Sequence, residues 1–232
     1  MQDRYIISSS RETIEERFEI DATEAFEPKF NCAPTHLLPV VTNKSPKGFS
    51  FFYWGLLPDM ANGKSLSTRL YNTKSEALKQ KKAVRNNFAK QRCIIIANGF
   101  YVWKKISKKR KVPYLFSLED KQPFAIAGLW EEFEDLQGNM NHAFTMITTA
   151  PNDAVAEMTD DMPAILEVGS EKQWLTDEFD EKKHLDMITT IDSNKFSSYS
   201  VSPAIQDINT DSPSLIQHIP PADQLGNYTL FE

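Results

Sequence analysis

Short runs in which apolar and polar residues alternate recur along the chain, and this two-residue period is typical of half-buried β-strands. One run, at residues 93–96, is uniformly apolar and predicts a buried strand. The predicted strands are residues 5–8, 51–56, 93–96, 100–103, 112–118, 124–130, 143–149, 164–166 and 197–201.

Helix signals are fewer than strand signals. The capping-box pattern Ser9-Ser10-Arg11-Glu12 opens a helix that carries Ile14 and Phe18 at i and i+4. The other predicted segments are helices at 75–85, at 152–158 and from a second capping box at Ser170, and loops at 28–46 and after 201. Because strands dominate, the sequence predicts an α+β fold with one strand-rich domain across residues 1–232.

The segment 92–103 combines several of these signals. Its first part is the apolar run, and Asn98-Gly99 is the strongest short signal for a β-hairpin turn. In the strand that follows, Phe100 and Val102 are expected on one face, with Tyr101 and Trp103 on the other. We therefore predict a hairpin here.

Charge is distributed unevenly along the chain. The net charge is −6, yet residues 64–111 contain 15 lysines and arginines and a single acidic residue, Glu76. A basic block with interleaved aromatic residues favours a polyanion whose bases can stack, as in a single-stranded nucleic acid. The alternative is a solvated helix face together with a lysine-rich hairpin tip at 104–111.

Other classes of protein are disfavoured by composition. No apolar run approaches the roughly 20 residues of a membrane span, and the amino terminus has no secretory pattern. Two cysteines, Cys32 and Cys93, form no disulfide framework, so we expect a reducing, cytoplasmic setting. The four histidines have no ligand spacing, and no metal or cofactor is predicted. A monomer is expected.

Six motifs follow one another along the chain. They are Phe30-Asn31-Cys32-Ala33-Pro34, Trp54-Gly55-Leu56-Leu57-Pro58, Asn72-Thr73-Lys74-Ser75-Glu76, Arg92-Cys93 with Asn98-Gly99-Phe100-Tyr101-Val102-Trp103, Ala127-Gly128-Leu129-Trp130-Glu131, and Thr159-Asp160-Asp161-Met162-Pro163-Ala164-Ile165-Leu166. Together they resemble the SOS response-associated peptidase (SRAP) family, whose members sense abasic sites in single-stranded DNA. The resemblance implies a barrel-like β core with flanking helices, and single-stranded DNA as partner.

The resemblance also locates the family's chemistry. There, an amino-terminal cysteine exposed by removal of Met1 closes a thiazolidine on the abasic aldehyde, while a Glu and a His move protons. The corresponding positions here are Gln2, Val102 and Thr159, which lack the thiol, carboxylate and imidazole. A bulky Gln2 is also expected to leave Met1 in place. We therefore expect no intact catalytic residue and no cross-link.

The resemblance further implies DNA contacts at Arg4, Asn31, Trp54, Asn72, Lys74 and Glu76. Arg4 would contact phosphate, whereas Lys74 replaces an arginine and loses its bidentate fork. Asn31 and Asn72 would line the abasic pocket, with loop capping as the alternative. Trp54 would stack on a base, with a core tryptophan as the alternative.

Three carboxylates work against DNA at this site. Asp3 replaces a glycine of the family, and Asp161 replaces an arginine. Together with Asp160, these carboxylates would repel phosphate. The alternative is that they hold a divalent cation.

Three hypotheses remain at this stage. The first is a degenerate SRAP protein that binds single-stranded or junction DNA without cross-linking it. The second is an active cross-linking or self-processing enzyme that uses another nucleophile, such as the Met1 amine or Lys74 as a Schiff base. The third is a protein-interaction module that does not bind DNA.

Overall fold

The computed structural model describes residues 3–22, 26–55, 71–107, 110–135 and 137–221. The strands are β1 (Tyr5–Ile7), β2 (Lys29–Cys32), β3 (Leu37–Thr42), β4 (Ser45–Trp54), β5 (Asn72–Lys74), β6 (Arg92–Ala97), β7 (Gly99–Lys105), β8 (Lys111–Leu118), β9 (Phe124–Glu134), β10 (Met140–Thr149), β11 (Met162–Pro163) and β12 (Phe196–Ser200). The helices are α1 (Arg11–Phe18), α2 (Ala77–Gln80), α3 (Lys82–Lys90), α4 (Asp153–Ala156), α5 (Glu171–Trp174) and α6 (Glu181–Asp186). Short 3₁₀ turns follow at Ser193–Lys195, Pro203–Gln206 and Pro213–Ile216.

Five strands close into a barrel. The order β10-β4-β3-β6-β9 returns to β10 through seven antiparallel residue pairs between β9 and β10. The short strands β5 and β11 pair with the last residues of β10. A second sheet has the order β12-β8-β7-β1-β2. The α+β class and the barrel-like core with flanking helices are therefore confirmed.

The barrel is filled by uniformly buried strands. Every residue of β6 is buried, as the apolar run predicted. Gly128 on β9 lets that strand pack closely, because a Cβ there would lie 2.8 Å from the Sγ of Cys93. Cys93 and Cys32 are both buried and free. The cysteines are thus packing residues of the core.

Local helix signals were partly correct. The Ser10 side chain accepts a hydrogen bond from the Thr13 amide, and Ile14 and Phe18 are buried, so the α1 prediction is confirmed. At the second capping box the Ser170 hydroxyl instead donates to the Glu167 carbonyl. The capping detail there was wrong, although α5 begins at the expected place.

The basic helix expected at 75–85 is two helices. Its interruption lies at Lys81, whose φ of −100° and ψ of 116° are extended rather than helical. α2 therefore ends after one turn, and α3 continues to Lys90. Leu78 of α2 and Phe88 of α3 are both fully buried. Burying both side chains outweighs the local helix propensity, which by itself favours one continuous helix.

The hairpin expected at Asn98-Gly99 was wrong. β6 pairs with β3 and β9 in the barrel, whereas β7 pairs with β1 and β8 in the second sheet. The chain therefore passes from one sheet into the other at this turn. A Cβ on Gly99 would lie 2.6 Å from the Phe116 carbonyl oxygen, so the glycine permits a close approach between neighbouring strands.

Two further sequence predictions need correction. The loop expected at 28–46 contains β2 and β3, because Leu38 and Val40 are buried in the barrel and β3 pairs with β4. The strand expected at 164–166 was wrong, because β11 ends at Pro163 and only Ile165 pairs beyond it, through an isolated bridge with Ile126. In the part of the chain that the structure describes, none of the helices is long and apolar enough to cross a membrane.

Candidate functional site

The strand β1 lies between β7 and β2 in the second sheet. Tyr5 pairs with Cys32 of β2 on one side and with Phe100 of β7 on the other. The Tyr101 amide donates to the Arg4 carbonyl at 3.1 Å, which continues this register toward the amino terminus. Extended two residues beyond the Tyr5–Phe100 pair, the same register sets Asp3 opposite Val102. The fold therefore brings the amino-terminal strand beside position 102, as the family resemblance requires.

Position 102 lies in an apolar setting. Val102 is 3% exposed and belongs with Phe100 to the main core, whereas Tyr101 and Trp103 belong to a second hydrophobic cluster. This confirms the predicted division of the two faces. The Tyr101 hydroxyl donates to the Phe30 carbonyl at 2.9 Å, and burial raises the pKa of that phenol. Neither group at this point of β7 is poised to transfer a proton near neutral pH.

Arg4 and Asp3 form the polar part of the site. The Arg4 side chain is 11% exposed, and its Nη1 donates to the Asp3 carbonyl at 2.6 Å. The Nε of Arg4 and the Oδ1 of Asp3 are buried and have no hydrogen-bond partner. Burial raises the pKa of Asp3, and the charges of Arg4 and Lys111 oppose that rise.

Asn31 holds the carboxyl-terminal segment in place. Its side-chain amide donates to the carbonyls of Ile205, Asp207 and Thr210 at 3.4, 2.9 and 2.8 Å. The Asn31 backbone amide donates to Asp211 at 3.1 Å. These bonds are the loop capping that was the alternative interpretation, and they leave Oδ1 buried without a partner.

Trp54 is packed inside the protein. The side chain is fully buried, its Nε1 donates to the Tyr71 carbonyl at 2.8 Å, and its ring stacks on Phe144 with centroids 6.1 Å apart. Tyr5 meets it edge-on at 5.1 Å. The ring thus offers no exposed face on which a base could stack in this conformation.

The remaining family positions flank the end of β10. Asn72, Thr73 and Lys74 run parallel to β10, and Asn72 is half-buried. Lys74 and Glu76 are exposed. β11 runs along β10 and follows the 159–161 segment.

The Thr159 hydroxyl donates to the Asp161 carboxylate at 3.3 Å, and Asp160 is exposed. Gln2, which occupies the family's nucleophile position, lies outside the described residues.

The basic block divides into an exposed part and a structural part. Among the residues of the block that the structure describes, the exposed cations are Lys74 on β5, Lys79, Lys81, Lys82, Arg85 and Lys90 on or beside α2 and α3, and Lys105, Arg110 and Lys111 near the β7–β8 connection. Arg92 is different, because its side chain is fully buried and bonds only backbone carbonyls. Counting charge along the sequence therefore overstated the surface available to phosphate.

Two charged or titratable groups near the site, Lys111 and His36, were not predicted, because their proximity to it depends on strand pairing that the sequence does not reveal. Lys111 lies close enough to Asp3 to influence the pKa of its carboxyl. This proximity arises because β7 pairs with β1 on one side and with β8 on the other. His36 was similarly overlooked. Burial lowers its pKa, and the nearby charges of Arg4 and Lys29 lower it further. Among the described residues there is no group of three or more His, Cys, Asp or Glu side chains that could hold a metal ion.

The comparisons with known proteins agree with this geometry. Residues 1–208 match the family model described as SOS response associated peptidase (SRAP). The chain belongs to the SRAP family. This confirms the resemblance carried by the six motifs.

The relatives of this SRAP protein share a common description. The abasic site processing protein YoqW of Bacillus subtilis is 31% identical over 219 residues, which cover 92% of this chain and 98% of the relative. The abasic site processing protein YedK of Escherichia coli is 24% identical over 195 residues, covering 82% and 85% of the two chains.

The same SRAP fold is found among solved structures. A crystal structure of a Bacteroides thetaiotaomicron protein superposes with a TM-score of 0.81 at 20% identity, and the match covers 95% of this chain and 100% of that one. At this identity the superposition supports the fold alone.

Proposed function

We propose that this SRAP protein binds single-stranded or junction DNA that contains abasic sites, and that it does so without forming a covalent cross-link. The DNA part of the proposal is supported by family membership and by relatives named as abasic site processing proteins. The loss of chemistry is a separate step and is supported by the residues at three positions.

The observation that carries the second step is the environment of Val102. The β1–β7 register, extended two residues beyond the Tyr5–Phe100 pair, sets Val102 across from Asp3, and this supports matching Val102 to the position at which the family resemblance expects a carboxylate to move protons. A hydrocarbon side chain that is 3% exposed cannot do this. Thr159, the position expected to hold a histidine, instead hydrogen-bonds Asp161.

Binding would depend on cations that surround the amino-terminal strand. Arg4 and Lys111 both lie close enough to Asp3 to oppose the rise that burial causes in its pKa, and Arg4 and Lys29 add to the lowering that burial causes in the pKa of His36. A positively charged group that neutralises one phosphate releases about one counterion, so affinity falls as salt rises. Further exposed cations on α2 and α3 are available to a longer strand.

The absence of cross-linking is tested on a denaturing gel. The full chain would be incubated with a labelled single strand that carries one abasic site and, in parallel, with an intact strand of the same sequence. We expect no heat-stable shifted band from the natural chain with either strand. A band with the abasic strand alone would show that another nucleophile acts, and borohydride trapping would identify a Schiff base through Met1 or Lys74.

A gain-of-function variant makes this test sharper. The triple variant Gln2→Cys, Val102→Glu, Thr159→His restores the three groups that the family chemistry uses. We expect it to produce the heat-stable band that the natural chain lacks, with the single variant Thr159→His as an inactive control. If the triple variant is folded and still forms no band, the explanation of the missing chemistry by these three residues is wrong.

DNA binding is tested by its salt dependence. Affinity for the intact single strand would be measured by fluorescence anisotropy between 50 and about 200 mM salt, a range over which phosphate contacts weaken strongly. Arg4→Met is expected to reduce the slope of log K against log salt by about one. A flat response of the natural chain would contradict DNA binding and leave the protein-interaction hypothesis.

A further inference from the structure

A groove lies at the end of the second sheet that is opposite to the candidate site. Its volume is about 640 Å³, within the range of about 300–1,000 Å³ that is usual for ligand pockets. Its walls come from the end of β8, the start of β9, the segment after β11 and the segment that precedes β12. None of the residues that the family resemblance implies for DNA contact lines this groove.

The strand registers separate the groove from the amino-terminal strand. Val102 pairs with Tyr114 near the start of β8, whereas Leu118, at the end of β8, lines the groove. Four residues of a β-strand span about 13 Å. Lys195 lies still further from the candidate site, because Phe196 pairs with Leu118 and the two strands are antiparallel. A short segment bound in the groove would therefore leave the candidate site open to DNA.

The floor of the groove is apolar. Leu118 and Ile191 are half-buried at its surface. Val168 lines the groove with 76% of its surface exposed, more than any other large hydrophobic residue of the described chain. Covering such a side chain with an apolar group is favourable in proportion to the area removed from water. The buried residues beneath this surface are Phe124, Ile165 and Leu166.

The rim of the groove is acidic. Its exposed carboxylates are Glu119, Asp120, Glu167 and Asp192. Among the described lining residues Lys195 is the single cation, so four negative charges and one positive charge leave a net charge of −3. None of the four carboxylates forms an ion pair with another described residue. A concave surface lined by charges of one sign attracts a ligand of the opposite sign.

Two of these carboxylates are held in place by the backbone. One oxygen of Asp120 accepts a hydrogen bond from the Gln122 amide at 3.0 Å. One oxygen of Asp192 accepts a hydrogen bond from the Asn194 amide, also at 3.0 Å. Each carboxylate can accept further hydrogen bonds, because its two oxygens together have about four acceptor sites. The rim is therefore partly ordered before any cation binds.

We propose that this groove docks a basic segment of a protein partner that also carries an apolar side chain. Lysine or arginine side chains of the segment would lie beside the carboxylates of the rim, and its apolar side chain would pack on Val168 and the floor. The same carboxylates would repel the phosphates of a nucleic acid. The docking site is therefore distinct from any DNA-binding surface, and the proposal does not depend on DNA binding.

The probe for this proposal is a fluorescein-labelled heptapeptide in which lysine and leucine alternate, and its binding is measured by fluorescence anisotropy at about 50 mM salt. Two further peptides are compared with it. In one, glutamate replaces lysine, and in the other, serine replaces leucine. The natural chain is expected to bind the lysine–leucine peptide about tenfold more tightly than either of the others, because only that peptide matches both the rim and the floor.

Variants of the rim and the floor locate the binding site. The double variant Glu119→Gln, Glu167→Gln should weaken binding of the lysine–leucine peptide by about tenfold at low salt, and by less as salt rises. The matched control Glu16→Gln, Glu134→Gln removes the same charge from exposed positions outside the groove and should leave the affinity unchanged. Val168→Ser should weaken binding by about threefold, because one apolar contact is lost.

Three results would overturn the proposal. Equal losses in the groove double variant and its control would show that the peptide responds only to the overall negative charge. Equal affinities for the lysine–leucine and lysine–serine peptides would show that the apolar floor takes no part. Unchanged binding by the groove double variant, folded by circular dichroism, would place the peptide elsewhere on the protein.

Discussion

Arg92 offers a direct test of the division between structural and surface cations. Its guanidinium donates to the carbonyls of Trp174, Phe88 and Ala89 at 2.8 Å each, and to that of Thr176. Phe88 and Ala89 belong to the last turn of α3, whose carbonyls have no partner within the helix. One buried side chain therefore joins the end of α3 to the end of α5 and to Thr176 just beyond it.

Replacing Arg92 by methionine keeps much of the side-chain volume and removes every one of these donors. Each buried carbonyl left without a partner costs about 1–3 kcal/mol, although water and local relaxation recover part of this. We expect the free energy of unfolding to fall by about 3–5 kcal/mol, the range typical of removing one partner from a buried charged network. For a chain of this length, the melting temperature would fall by roughly 10 °C.

The measurement is urea unfolding followed by tryptophan fluorescence, with Arg85→Met as the matched control. Arg85 is an exposed member of the same block and pairs with Glu181 at 2.8 Å, so its loss should cost less than about 1 kcal/mol. In the folded Arg92→Met protein the salt dependence of DNA binding should be unchanged. A stability loss below about 1 kcal/mol for Arg92→Met would refute the structural role assigned to Arg92.

Two further predictions concern the core. His184 is 1% exposed, and burial lowers its pKa below the ordinary 6.5, so the unfolded chain takes up a proton that the folded chain resists. The contribution of neutral His184 to stability is therefore present above pH 6.5 and is lost as the pH falls below that value. When the free energy of unfolding is measured at several pH values, it should fall less steeply with acid in His184→Phe than in the natural chain. Gly99→Ala should lower stability by about 1–3 kcal/mol, because the added Cβ meets backbone. Gly48→Ala, whose Cβ would lie 3.3 Å from the Asp21 carbonyl, should cost less in the same thermal unfolding assay, and equal losses would contradict this account of Gly99.

Features set by neighbouring residues were predictable from the sequence. The start of α1 depends on Ser10 and Thr13, which are three positions apart, and the buried face of that helix depends on Ile14 and Phe18. The alternation of faces along β7 likewise follows from strand geometry alone. In each case the interactions that decide the structure lie within a few residues of one another.

Features set by distant partners were not predictable in this way. Asn98-Gly99 correctly indicates a change of direction, but a turn signal does not say which strands pair. The Asn98 side chain accepts hydrogen bonds from the Ser8 and Ser9 amides, about 90 residues away in sequence, and these fix the crossing between sheets. Arg92 resembled a surface cation for the same reason, since its partners at Trp174 and Thr176 are distant in sequence.

The loss of chemistry that we propose is compatible with an unchanged fold. A glutamate at position 102 would project from the face that Val102 shares with Phe100. This face packs into the apolar core, and the Val102 side chain is only 3% exposed. An ionised carboxylate in such a place is unfavourable unless a hydrogen-bonded partner accompanies it, so a glutamate at position 102 of this chain would carry a stability cost. Valine removes that cost and preserves the β7 register. Where no thiol stands at position 2, valine therefore fits the sheet better than glutamate does.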